Sequence, residues 1–229
     1  MQDYGYILEN YLALSEEIKE LSRASGRDIT LVAVTKSGSD EELLALARAG
    51  VTDIGENRPG ELRRRADLLR EAGFEPHLHE IGNLQRNKVK YIASDVTLIH
   101  SLDSIELARE IDRQAAKHSR RIPVLIEVNS AREPQKSGVM PEEAEALLTE
   151  ISHLPSLIPS GIMTMGPVCD DPEQLRPYFR QTRELFDGLC DRFEFQDGGI
   201  LSMGMSESYR VAIEEGSTLV RVGRKFFEK

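Results

Sequence analysis

The sequence predicts an α/β fold: a single (β/α)8 barrel of the TIM type with an extra N-terminal helix. Three observations carry this. From residue 29 onward, short β-branched or apolar runs alternate with segments of helical period, the pattern of parallel strands joined by helices. Eight such strands are legible, the number that closes a barrel. The first strand is followed by Thr35-Lys36-Ser37-Gly38-Ser39 and not by a G-x-G-x-x-G turn, which disfavours an open doubly wound sheet.

Before the first strand, Ile7, Leu8, Tyr11, Leu14, Ile18 and Leu21 recur at helical spacing across Tyr6–Leu21. Strand one is Ile29–Thr35, followed by an N-cap signal and a helix over about Glu41–Ala49 that Gly50 stops. Strand two is Thr52–Gly55. The next helix, Pro59–Glu71, opens on proline and ends before Gly73. Strand three, His77–Ile81, precedes a helix over Leu84–Ala93, and strand four is Thr97–His100. An Asp103-Ser104 cap starts a helix to about Lys117. Strand five, Pro123–Asn129, is rich in buried-strand residues; a helix over Pro141–Ile151 and strand six, Ile158–Met163, follow. Then come a helix over about Pro172–Cys190, strand seven at Gly199–Ser202, a helix over about Ser206–Glu215 and strand eight at Thr218–Val222. Gly223–Lys229 is too short for a full eighth helix, so the N-terminal helix is expected to fill that place in the outer ring.

The 229 residues, 40% of them hydrophobic, suit one domain spanning 1–229, with 1–25 as a helix packed on the barrel. A net charge of −10 repels phosphate backbones and argues against nucleic-acid partners. No apolar run approaches the roughly 20 residues of a membrane span, and the start of the chain does not read as a secretory signal. Cys169 and Cys190 lack a metal spacing and read as reduced thiols, so a cytoplasmic protein without metal is expected. A lone barrel of this size can stand as a monomer.

In such a barrel the C-terminal strand ends converge on one mouth. Here they deliver Lys36, Asn57, His79 to Gln85, His100-Ser101, Asn129, Met163-Thr164-Met165, Ser202 to Ser206 and Arg221-Val222-Gly223. Lys36 is either a surface lysine at a strand end or an amine able to condense with a carbonyl compound. After strands seven and eight, the Ser206 hydroxyl, helix-start amides and the close backbone approach allowed by Gly204 and Gly223 suit a phosphate; both glycines could equally serve tight turns. His79 and His100 are either acid/base groups or packed histidines bonded to backbone near the mouth. Lys88 and Lys136 are either a second contact or transfer site or, as single basic residues on loops, solvated, and the charged face Glu61–Arg65 reads as solvated.

Together these stretches resemble the pyridoxal-phosphate homeostasis protein family (YggS/PROSC) and, more distantly, the N-terminal barrel of alanine racemase. The matching runs are Ala33-Val34-Thr35-Lys36, Gly55-Glu56-Asn57-Arg58, Ile81-Gly82 with Leu84-Gln85 and Asn87-Lys88, His100-Ser101, Pro123 to Asn129, Lys136-Ser137-Gly138, Gly161 to Met165, Leu201 to Ser206 and Val220 to Gly223. The L-S-M-G-M-S run and Lys88-Val89-Lys90-Tyr91-Ile92 are the most specific. The resemblance implies pyridoxal 5'-phosphate (PLP) as cofactor, held by Lys36 as a Schiff base in a fold-type III barrel. It implies a phosphate grip from Ser206, Gly223 and the Arg224 amide, and Arg221 facing the pyridine nitrogen. Asn57, His79, Met163, Met203 and Gly204 are the further cofactor-contact candidates. Where the family has histidine, an aromatic residue and a small hydroxyl residue, this chain has Asn83, Glu80 and Arg224, and the usual terminal glycine is absent.

An arginine at the ring nitrogen cannot take its proton, which leaves a weak electron sink. Racemisation also needs a second acid/base opposite Lys36, and none of the six tyrosines falls at a strand end. The expected function is a PLP carrier or buffer in cofactor homeostasis, not a robust enzyme, with PLP-dependent apoenzymes as candidate recipients. The alternatives are a small amino-acid racemase and an aldolase whose lysine traps a sugar phosphate.

Overall fold

In the computed structural model, which describes residues 4–229, eight parallel strands close into a barrel in strict chain order. They are β1 (Thr30–Val34), β2 (Asp53–Glu56), β3 (His77–Glu80), β4 (Leu98–Leu102), β5 (Ile122–Val128), β6 (Leu157–Thr164), β7 (Ile200–Ser202) and β8 (Leu219–Val222). The seam closes where β1 pairs with β8 in the register Val32 to Arg221 and Ala33 to Val222. Around them lie α1 (Gly5–Ser25), α2 (Asp40–Ala49), α3 (Pro59–Glu71), α4 (Ile105–Lys117), α5 (Ala144–Ile151), α6 (Arg176–Cys190), α7 (Tyr209–Glu214) and α8 (Arg224–Phe227). Residues 1–3 of the expected N-terminal segment lie outside the described residues.

The alternation of strand side chains sorts two cores. Leu78, Ile99, Val124, Ile126 and Leu201 face outward and join the helices in the large apolar cluster. Val32, Leu98, Leu125, Met163 and Leu219 face inward and form a small apolar floor inside the barrel. Helices supply the outer half: in α4, Leu107, Ala108, Ile111 and Ala115 fall on one buried stripe. The expected N-cap of α2 is a full capping box, Ser39 with Glu42, worth about 1 kcal/mol.

α8 is a single turn, and α1 packs against α2, α7 and α8, filling the eighth place in the ring as the sequence predicts. The Asn10 amide donates to the carbonyls of Phe226 and Glu228, tying the first helix to the last turn.

Five expectations need correction. The helix expected over Leu84–Ala93 is a 3-10 segment, Arg86–Tyr91, in which only Val89 is buried; Asn87 and β-branched Val89 favour helix weakly. The helix expected from Ser206 starts at Tyr209, because the Ser208 hydroxyl accepts from the Met205 N–H and holds residues 206–208 as a turn. Those expected from Pro141 and Pro172 open with 3-10 turns before α5 and α6. β4 runs on to Leu102, which moves His100 from the strand end into the barrel.

Candidate functional site

Lys36 stands two residues past β1, on the inward side shared with Val32 and Val34. It is exposed at the mouth and has no hydrogen bond or ion pair among the described residues. β8 lies beside it, and Gly223 comes level with Val34: a Cβ on Gly223 would sit 3.0 Å from the Val34 carbonyl oxygen, a tight contact that glycine avoids. The Gly223 N–H donates to the buried Ser206 hydroxyl at 3.2 Å, which joins the last two loops at the mouth. Gly204, at φ +94, turns the chain out of β7 and accepts from the Arg221 N–H at 3.1 Å. The Arg224 side chain is exposed and pairs with Glu207, so it braces these loops from outside and adds no charge to the mouth.

Below this rim, Arg221 is buried inside the barrel. It donates to the Ser202 hydroxyl at 2.5 Å and to the Thr164 carbonyl at 3.0 Å. Burial pulls its guanidinium down to about 10, against the attraction of Glu127, so it stays charged at neutral pH. Glu127 is also buried; loss of water and then the charge of Asp103 push it up to about 7, while Arg221 pulls the other way.

The histidines do not bond backbone near the mouth. His79 Nδ1 lies 3.0 Å from His100 Nε2, and His79 Nε2 lies 3.0 Å from Asp53 Oδ1. His100 Nδ1 lies 3.0 Å from Ser202 Oγ. His100 is wholly buried, and burial, then His79 and Arg221, hold it far below the usual imidazole range.

Of the remaining candidates, Asn57 is exposed at the end of β2 and lines a hollow of about 570 Å³ with Asn83, Lys88 and Tyr91, to one side of Lys36. Met163 belongs to the barrel floor. Met203 alternates with inward-facing Ser202, and its side chain is buried in the outer apolar cluster, so only its backbone borders the mouth. Asn83 donates to the Ser137 hydroxyl at 2.7 Å, and Lys136, not solvated as expected, donates to the Gly166 carbonyl at 2.8 Å; both bonds link loops around the mouth.

Sequence reading also missed a cluster behind Lys36. Arg65, expected on a solvated face, is buried and donates to the Gly38 carbonyl at 2.8 Å. Its Nε lies 3.1 Å from Glu56 Oε1, near enough for an ion pair but misaligned for a hydrogen bond. Glu56 accepts from Thr35, the residue before Lys36, at 2.6 Å. Glu80 beside it accepts from the Gly82 N–H, and burial pushes its carboxyl up to about 8. The available signal was alternation: Thr35, Glu56 and Glu80 fall on the outward face of their strands.

No group of histidine, cysteine and carboxylate side chains able to hold a metal occurs among the described residues, and no helix there is long and apolar enough to cross a membrane. Residues 10–227 match the family described as alanine racemase, N-terminal domain. The chain is 40% identical over 215 residues, 93% of each chain, to the pyridoxal phosphate homeostasis protein of Aquifex aeolicus. The crystal structure of an unknown protein from Bifidobacterium adolescentis superposes with TM-score 0.90 at 33% identity, covering 99% of this chain and 97% of that one. PipY of Synechococcus elongatus PCC7942, solved with PLP bound, superposes with TM-score 0.84 at 26% identity, covering 97% of this chain and 100% of PipY.

Proposed function

Because the chain belongs to the alanine racemase N-terminal domain family, and within it to the pyridoxal phosphate homeostasis proteins, we propose that it is a PLP-binding protein of cofactor homeostasis. The observation that carries this reading is Lys36, an amine at the mouth with no partner among the described residues, beside the joined Ser206–Gly223 loops and above the buried Arg221. These residues fit the group. PLP supplies an aldehyde, an anionic phosphate and an electron-drawing pyridine ring. Lys36 Nζ takes the aldehyde as a Schiff base, with loss of one water. The Ser206 hydroxyl and the amides of Gly223 and Arg224 bind the phosphate, an arrangement of neutral donors that suits an anion. Arg221 presents a fixed positive charge to the ring nitrogen and holds it without a proton.

Storage and delivery of the cofactor suit this arrangement better than turnover. Arg221 weakens the ring as an electron sink, and two of the tyrosines are committed to partners away from Lys36. Tyr209 bonds to Glu17 and Tyr6 to Glu42, both in the outer ring. The barrel then acts as a cytoplasmic monomer that passes PLP to apoenzymes.

Absorption spectra before and after addition of PLP test the reading, with borohydride fixation and peptide mass mapping. The native protein turns yellow and carries the pyridoxyl group on Lys36; Lys36→Ala stays colourless. Full colour in that variant rejects the assignment. Optical rotation of single amino-acid enantiomers incubated with the loaded protein tests the racemase alternative, and sustained loss of rotation would displace the carrier role.

A further inference from the structure

The four hydrogen bonds inside the barrel form one continuous chain: Arg221, Ser202, His100, His79, Asp53. It begins just below the mouth and ends at the first residue of β2, at the opposite end of the barrel, where the Asp53 side chain is 19% exposed. Its polarity follows from its ends. Arg221 can only donate and the Asp53 carboxylate can only accept. Ser202 Oγ accepts from Arg221, so its own hydrogen goes to His100 Nδ1. That nitrogen is bare, and the His100 hydrogen lies on Nε2, which donates to His79 Nδ1. The His79 hydrogen is then on Nε2 and goes to Asp53. The opposite polarity would leave the Ser202 hydrogen with no acceptor on the chain and place a second cation inside the barrel.

The other charged groups facing the chain act at its ends. His77 Nδ1 approaches Asp53 at 3.3 Å, and the Thr52 hydroxyl donates to Asp53 at 2.7 Å. At the other end Glu127 attracts Arg221 across the barrel, with Asp103 behind it. Burial pushes the Asp53 carboxyl up, but the bonds from His79 and Thr52 outweigh this and hold it below its usual range.

We infer that Asp53 is a positioning residue for Arg221: through His79, His100 and Ser202 it holds the buried guanidinium and fixes both histidines as neutral rings carrying hydrogen on Nε2. A carboxylate on the far face is thereby coupled to the cation at the mouth. The orientation of Arg221 toward bound PLP rests on the function proposed above; the polarity of the chain does not.

Nitrogen NMR of the histidine rings in the full cofactor-free chain tests the polarity. In the native protein both His79 and His100 carry hydrogen on Nε2. In Asp53→Leu, which removes the acceptor, His79 becomes a tautomer mixture and the His100 signals move with it. Unchanged tautomers at both rings in Asp53→Leu overturn the inference. Asp53→Asn is nearly isosteric, keeps an acceptor oxygen and gives a smaller change in the same signals; if Asp53→Leu does not fold, unchanged signals in Asp53→Asn overturn the inference instead. In the loaded protein, the rate at which the visible band is lost on dilution rises about threefold to tenfold in Asp53→Leu and less in Asp53→Asn, the range for coupling through a packed network. An unchanged rate and unchanged pH profile of the band reject the coupling to the mouth. Absence of any band in the native protein would reject the PLP reading and leave the NMR result standing.

Discussion

Two buried polar groups flank the base of the mouth, and they solve the same problem differently. Inside the barrel, Arg221, Ser202, His100, His79 and Asp53 are linked end to end, with each charge at an end of the chain. Between the sheet and α3, Glu56, Glu80 and Arg65 sit side by side, with Glu80 Oε2 and Arg65 Nη1 lacking hydrogen-bond partners. A chain of neutral donor–acceptor groups carries polarity through an apolar interior at little cost, because no full charge lies in its middle. Packed carboxylates have no such arrangement, and one of them answers by keeping its proton. The first group reaches the mouth; the second holds the loop that carries Lys36, through Thr35 and Gly38.

The contrast can be broken most sharply at Arg221. Replacing it with methionine leaves Ser202 without its donor and Glu127 without its cation, and stability to urea falls by about 3–5 kcal/mol. A loss under about 1 kcal/mol would mean that the interior chain does not depend on its cation.

Glu80 gives the next largest effect, and its sign depends on pH. The folded state keeps a proton that the unfolded chain releases above the ordinary value of 4.5, up to about 8. Its contribution is therefore fully present below pH 4.5 and lost as pH rises toward 8. Glu80→Gln removes this dependence, so the variant gains on the native protein by up to about 3 kcal/mol between pH 5 and 7.5. Denaturation at both pH values measures it; parallel curves would place the Glu80 carboxyl in water. Thr35→Val, which takes one donor from Glu56, costs about 1–2 kcal/mol in the same assay, and a neutral result would show the outer group to be independent of the Lys36 loop. Arg64→Ala supplies the lower bound. Arg64 neighbours Arg65 in sequence but pairs with Asp40 in the open, and its loss costs under about 0.5 kcal/mol.

That pair of neighbours also shows what sequence could reveal. The barrel was legible because strand and helix periods alternate without interruption, and α1 filling the eighth place followed from the short tail after β8. That Lys36, Ser206, Gly204 and Gly223 lie at the mouth was legible because strand ends must converge. The side of each strand was not read, and Arg65 was lost with it: on a helix rich in arginine nothing local distinguishes the one drawn inward by Glu56. His100 was assigned to the rim because β4 was ended two residues early, and His79 because the inward side of β3 was not read. Their partners, Asp53 and Ser202, come from strands distant in sequence, and only the closed register brings the four together.

The bonds from Asn10 to the carbonyls of Phe226 and Glu228, and the pairing of β1 with β8, mean that the barrel cannot close before β8 is made. Lys36 is synthesised before β2, whereas its neighbours Ser206, Arg221 and Gly223 follow β7. A nascent chain therefore carries the Lys36 amine long before the joined Ser206 and Gly223 loops can stand beside it, and the mouth exists only once the ring of strands is closed.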